Sequence, residues 1–100
     1  MIVLFRFDTT ADSEGSFVDS ARAALAVLRE RPGYLRGWLG RAADDPTGWV
    51  LGTEWEGAGS YRRALAGVEV RAAAGSFLST ARNEASAFEV VVADEPGRRQ

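Results

Sequence analysis

One hundred residues, 46% of them apolar and 26% charged, are enough chain for one globular domain with a single two-layer core. A net charge of −2 gives no electrostatic pull towards nucleic acid or an anionic membrane, so neither is expected as a partner. Histidine, cysteine and lysine are absent and all twelve basic residues are arginine, which excludes Ser-His-Asp and Cys-His nucleophiles, Schiff-base lysines and zinc sites built from nitrogen or sulfur.

Without cysteine there are no disulfides, and the expected location is the cytoplasm. The first residues lack the cationic and apolar regions of a signal peptide. No apolar run approaches the roughly 20 residues that span a bilayer. A metal would have to be held by oxygen alone, and the Asp44-Asp45 pair, followed by Pro46, reads as turn chemistry. No metal site and no cofactor site is therefore expected.

Ile2 to Phe7 alternates as a strand, with Val3, Phe5 and Phe7 on one face and Ile2, Leu4 and Arg6 on the other. A polar break, Asp8 to Gly15, leads into a helix that starts between Asp12 and Ser16 and ends at Arg31, because Pro32-Gly33 cannot continue it. Its buried stripe is Phe17, Ala21, Ala24, Leu25 and Leu28. The second strand, Tyr34 to Arg41, points Tyr34, Arg36 and Trp38 one way and Leu35, Gly37, Leu39 and Arg41 the other. A hairpin connection, Ala42 to Gly48, leads into a third strand, Trp49 to Glu56. There Trp49, Leu51, Thr53 and Trp55 share one face, and Val50, Gly52 and Glu54 the other.

Ser60 is the expected cap of a short helix carrying Tyr61 and Leu65, which Gly67 breaks. A longer helix follows to about Arg82, with Val70, Ala73, Ala74, Phe77, Leu78 and Ala81 inward. The last strand, Ala85 to Val92, sets Phe88, Val90 and Val92 against Ala87, Glu89 and Val91. Residues 1–92 form the expected domain and 93–100 a polar tail.

This order predicts a ferredoxin-like α+β sandwich: an antiparallel-dominated, four-stranded sheet, helices on one face, the first and third strands central. The helices should meet Phe5, Phe7, Leu51, Trp55, Phe88 and Val90. The other face then shows Ile2, Leu4, Tyr34, Trp38, Val50 and Val91, with Arg6, Arg36, Glu54 and Glu89 as charges of both signs. So large an apolar face predicts a two-fold homodimer built through it. A monomer with an open apolar sheet is the alternative.

The layout resembles the antibiotic biosynthesis monooxygenase superfamily. The matching stretches are Arg31-Pro32-Gly33-Tyr34, Asp44-Asp45-Pro46, Trp49 through Glu56, Tyr61-Arg62-Arg63-Ala64-Leu65 and Val68-Glu69-Val70-Arg71, so the likeness runs along nearly the whole chain. The resemblance implies small dimeric α+β barrels, in which two ferredoxin-like sheets face each other. It implies varied chemistry too. One branch oxidises anthrone or quinol-type aromatics with molecular oxygen and no bound cofactor. Another degrades haem through an asparagine, a tryptophan and a histidine. Along this chain Trp55 matches that tryptophan, while Phe7 and Ala74 fall at about the asparagine and histidine positions. Glu69 stands near a histidine position of the quinol-oxidising relatives. With no histidine, axial histidine ligation of haem is impossible and haem degradation is not expected.

Three functions are expected candidates. The first is a cofactor-independent monooxygenase acting on an aromatic or quinone-like small molecule. Its pocket would be Phe5, Phe7, Leu51, Thr53, Trp55, Phe77 and Phe88, with Trp55, Tyr61, Arg82 and Asn83 as candidate catalytic residues. The second is a non-catalytic dimeric module that binds a small apolar ligand. The third is a dimer with a solidly packed interior, in which Trp55 is core, the Tyr61 ring is packing and Arg62-Arg63 is a solvated face. The expected dimer face is Ile2, Leu4, Arg6, Trp38, Val50, Glu54, Glu89 and Val91.

Overall fold

The structure, a computed structural model, describes residues 1–84 and 86–96. Ala85, the expected start of the last strand, and 97–100 of the expected tail lie outside the described residues. The order is β1 (Ile2–Asp8), α1 (Glu14–Leu28), β2 (Tyr34–Ala42), β3 (Asp45–Trp55), α2 (Ala58–Ala66), α3 (Val68–Leu78) and β4 (Ala87–Phe88), with a short 3₁₀ turn at Ala11–Ser13 before α1. The sheet runs β2-β3-β1-β4 with antiparallel pairing throughout, so β1 and β3 are central. This is the ferredoxin-like α+β sandwich.

The central ladder follows the alternation. Val3, Phe5 and Phe7 lie opposite Thr53, Leu51 and Trp49, and this row faces the helices. Ile2, Leu4 and Arg6 lie opposite Glu54, Gly52 and Val50 on the open face. The helices supply Ala21, Ala24 and Leu28 from α1 and Val70 and Ala74 from α3. Small residues at these helical positions let the large strand side chains fill the space between layers.

Several details differ from the expectation, the first being that α1 ends at Leu28 and not at Arg31. The β2–β3 register slips between Tyr34 and Arg36, so Tyr34 lies opposite Trp55 on the helix side while Arg36 and Trp38 stay on the open face. A bulge of one residue reverses the parity of whatever precedes it, and Leu35 is left exposed. The connection is tighter than expected: Ala42 already pairs with Asp45, leaving a turn at Ala43 and Asp44. Ser60 is not the cap of α2. Gly57 is, and the Ser60 hydroxyl bonds both its N–H (3.3 Å) and its C=O (2.9 Å). α3 stops at Leu78, short of Arg82, and Ala73 on it is exposed.

The last strand needs the largest correction. β4 is two residues long, and Phe88 lies opposite Ile2, which puts it on the open face, half in water. Ala87 lies opposite Val3 but is itself exposed. Phe88 therefore leaves the expected pocket. Glu89, Val90 and Val91 lie beyond the ladder and are exposed, so Val90 does not reach the helices and Glu89 and Val91 are not part of the open sheet face. A bulged path replaces the missing ladder: Leu4 N–H donates to Ser86 C=O at 2.6 Å, and Arg82 N–H to Arg6 C=O at 2.8 Å.

Asp8 accepts two hydrogen bonds from the Arg82 guanidinium, at 2.9 and 2.6 Å, which tie this path to the end of β1. They hold the Asp8 carboxyl below its ordinary 3.8, and the Thr47 hydroxyl and N–H do the same for Asp45. A depressed folded pKa gives stability that is present above the unfolded value and lost as pH falls through the folded one. Both pairs are exposed, so the effect is small. Acid unfolding of Asp8→Asn should therefore be less steep below about pH 4 than that of the native chain; superimposable curves would show that the pair adds nothing.

Candidate functional site

β3 lays down the site. Its two-residue period places Trp49, Leu51, Thr53 and Trp55 in one buried row under the helices. Near the hairpin, Phe7 stacks on Phe77 with centroids 4.7 Å apart, and Phe17 sits 5.3 Å from Phe7, 5.3 Å from Trp49 and 5.4 Å from Phe77. At the other end Trp55 packs with Val3, Leu28, Ala64 and Val70. Its ring meets Tyr34 edge-on at 5.4 Å and Tyr61 at 6.0 Å.

Trp55 is 1% exposed, and its indole N–H donates to Thr53 Oγ1 across 2.9 Å. The strand period alone supplies this acceptor, because residues two apart share a face. A hydroxyl accepts and donates at once, so Thr53 still has a proton to give. Tyr61 stands on the first turns of α2, half-buried. Burial pushes its phenol up, and Ser86 partly offsets the rise. Among the described residues Thr53 and Ser60 are buried polar residues, and the buried Trp49 indole N–H has no hydrogen-bond partner.

Of the expected pocket, Phe7, Leu51 and Phe77 fall in one buried cluster and Trp55, with Tyr61 at its edge, in a second; Phe5 packs against both, and Thr53 is bonded to Trp55. Arg82 reaches only the hairpin end, where it lines the same groove as Phe7 and Trp49, and Asn83 is exposed. Both side chains lie towards solvent at the other end of the sheet. Arg82 is held at Asp8, whereas Trp55 N–H bonds Met1 C=O, and the two ends of β1 lie roughly 20 Å apart by strand rise. Phe17, Trp49 and Tyr34 are interior aromatics that the expected pocket omitted. Phe17 was legible in the α1 stripe and Trp49 in the β3 alternation; Tyr34 was hidden by the bulge.

Three grooves among the described residues open on the surface, of about 430, 380 and 460 Å³, and none is lined by Thr53, Trp55 or Tyr61. Among the described residues no group of three or more acidic side chains could hold a metal, and no helix is long and apolar enough to cross a membrane.

The sequence profile for antibiotic biosynthesis monooxygenase matches residues 1–76. The chain belongs to the antibiotic biosynthesis monooxygenase family. Solved structures agree on the fold. A Deinococcus radiodurans protein assigned as an antibiotic biosynthesis monooxygenase is 15% identical, with a TM-score of 0.77 over 98% of this chain and 100% of that one. SnoaB, a cofactor-independent oxygenase from Streptomyces nogalater, is 22% identical, with a TM-score of 0.71 over 81% of this chain and 82% of that one. A conserved protein from Methanosarcina mazei Go1 is 12% identical, with a TM-score of 0.70 over 86% and 84%. No curated protein matches the chain. Family and fold together support a monooxygenase.

The haem branch of the family sets a test of fit. The resemblance sets Phe7 and Ala74 against its two polar positions, and both are buried, Phe7 against Phe77. Neither side chain offers a ligand or a hydrogen bond, so the residues present do not fit haem. Titration with haem should give no saturable, stoichiometric Soret band; a tight one-to-one complex would overturn this.

Proposed function

We propose that the chain is a homodimeric, cofactor-independent monooxygenase acting on a small aromatic or quinone-like molecule. The observation that carries the reading is the interior around Trp55: aromatic walls, with the Thr53 and Tyr61 hydroxyls as neutral donors. An electron-rich anthrone, once deprotonated, supplies its own electrons to oxygen. The protein then has to orient the ring, exclude water and stabilise the oxyanion with fixed donors. For an anthrone the balance closes without a co-reductant: one atom of O₂ becomes the new carbonyl oxygen, and the other leaves as water with the two hydrogens of the oxidised carbon. The substrate would enter by displacement of α2, the nine-residue helix that carries Ala64 and Tyr61 over Trp55.

The homodimer is part of the same proposal. Its face is Ile2, Leu4, Trp38, Val50 and Phe88 around the Arg36–Glu54 ion pair of 2.6 Å. A second copy would cover this apolar area while the helix side stays free for substrate.

One observation favours a different reading, a packed interior without turnover: the grooves are not lined by Trp55. Oxygen uptake decides between them. With an anthrone, chelator present and no flavin, nicotinamide or metal added, the folded chain should consume oxygen faster than the heat-unfolded chain. Equal rates would support the packed interior; activity lost to the chelator and restored by one metal would contradict cofactor independence.

A further inference from the structure

The chain has two tyrosines and three tryptophans, and both tyrosines pack on the same tryptophan. The Tyr34 ring meets Trp55 edge-on at 5.4 Å, and the Tyr61 ring stands at 6.0 Å. Among the described residues neither of the other tryptophans meets a tyrosine ring. Trp49 packs on Phe17 and under the Arg41 guanidinium, and Trp38 lies over Gly52. With no cysteine and a single methionine, the readily oxidised side chains of this protein are mainly these indoles and phenols.

Trp55 is buried, so an electron taken from its indole has to be replaced through the protein. Its N–H is held by the Thr53 hydroxyl at 2.9 Å, and a neutral hydroxyl is too weak a base to take that proton. The oxidised indole therefore stays cationic and strongly oxidising. Val3, Leu28, Ala64 and Val70 around it have no electron to give; the two phenols do.

Of these, Tyr34 is placed to complete the transfer. A phenol gives up an electron readily only when its proton leaves as well, so its hydroxyl must reach water. The Tyr34 hydroxyl occupies the space where a Gly37 side chain would stand; a methyl group built there would collide with it. Both residues line a groove of about 460 Å³ that opens on the surface between α1 and β2. Burial pushes the Tyr34 phenol up, and the positive charge of Arg29 works against the rise. The same charge favours departure of the proton once the ring is oxidised, because two cations repel. Tyr61 lines none of the three surface grooves.

We propose that Trp55 and Tyr34 form a one-electron relay that carries oxidising equivalents out of the buried interior to the groove between α1 and β2. The oxidant is a peroxyl radical, the species left when a carbon radical captures molecular oxygen and fails to collapse to product. Trp55 gives it one electron, and the reduced peroxide takes a proton from water. Tyr34 returns an electron to Trp55, its O–H bond breaks, and that proton passes to water in the groove. In sum, one peroxyl radical and one phenol become one hydroperoxide and one phenoxyl radical. A soluble thiol or ascorbate then gives a hydrogen atom to the phenoxyl and restores Tyr34. The relay rests on the oxygenase reading only for the source of the radical.

Laser flash photolysis of the intact chain tests the relay without substrate. Light at the red edge of indole absorption ejects an electron from tryptophan and leaves phenol untouched. The indolyl and phenoxyl radicals are then followed by their separate absorption bands. A fast phase should appear in which the indolyl band falls as the phenoxyl band rises. It should be lost in Tyr34→Phe and in Trp55→Phe, and kept in Tyr61→Phe and Trp38→Phe. Tyr34→Phe and Tyr61→Phe each remove one hydroxyl and keep the ring, so the two variants compare like with like. In an active chain Tyr34→Phe should also inactivate after fewer turnovers, with added oxygen found on the peptide that holds Trp55. No fast phase in the native chain, a fast phase that survives Tyr34→Phe, one lost in Tyr61→Phe instead, or equal turnover lifetimes would each overturn the proposal. A fast phase in a chain that consumes no oxygen on any anthrone would keep the relay and refute the oxygenase; oxygen consumption without a fast phase would do the reverse.

Discussion

Trp55→Ala should destabilise the chain by about 3–5 kcal/mol, the range for removing a large aromatic from a core that cannot collapse. Trp55 is 1% exposed, sits among Val3, Leu28, Ala64 and Val70, and anchors the rings of Tyr34 and Tyr61. Its loss removes buried area, opens a cavity and leaves the Thr53 hydroxyl without its donor. Trp55→Phe isolates the last of these. Most of the apolar area stays, and the added cost of the unmatched acceptor is about 1–3 kcal/mol. Thr53→Val in the Phe background should recover part of that cost, because two apolar groups leave nothing unsatisfied. If the indole also serves the substrate, the Phe variant keeps its fold and dimer but loses more turnover than its melting temperature implies. Unfolding and oxygen uptake on the same samples read this split; a stable variant with unchanged turnover would return Trp55 to a packing role alone.

Trp38→Glu should convert a dimer into a species of the 10.8 kDa chain mass while leaving the monomer fold intact. Trp38 is 39% exposed on the open face and lies over Gly52, whose missing side chain makes room for the indole. An exposed tryptophan seated on a glycine in the middle of an apolar face is the kind of residue that dominates an interface. A carboxylate there would stand near Glu54, which is already held by Arg36 at 2.6 Å. Two-fold symmetry places the change on both sides, at about 2–4 kcal/mol for each copy. Sedimentation of the native chain and the variant at micromolar concentration measures it. A native chain that sediments as a monomer would refute the dimer, and a variant that stays dimeric would place the interface elsewhere.

The sequence carried the parts of the fold that rest on local period. β3 was legible because its two faces differ so sharply, with Trp49, Leu51, Thr53 and Trp55 on one and Val50, Gly52 and Glu54 on the other. The strand order and the neighbouring central strands followed from the succession of elements. Tyr34 was misplaced because a bulge is a property of two paired strands, and nothing in Tyr34-Leu35-Arg36 announces that Leu35 will be left over. Phe88 was misplaced for the same reason. Alternation gives the relative sides of its neighbours, but only the ladder to Ile2 tells which side is inward. The helix expected to run to about Arg82 ends at Leu78, and the Arg82 side chain is held at Asp8, at the end of β1 away from Trp55.

The central claim is that this chain transfers an atom of molecular oxygen to the methylene carbon of an anthrone-type substrate with its own side chains alone. Turnover of an anthrone under ¹⁸O₂, by chelator-treated protein with no added cofactor, tests it most directly. Mass spectrometry of the quinone should show one ¹⁸O atom per molecule, in excess over the unfolded-protein control and reduced in Trp55→Phe. A quinone formed no faster than in the control, or one whose new oxygen comes from water, would contradict it.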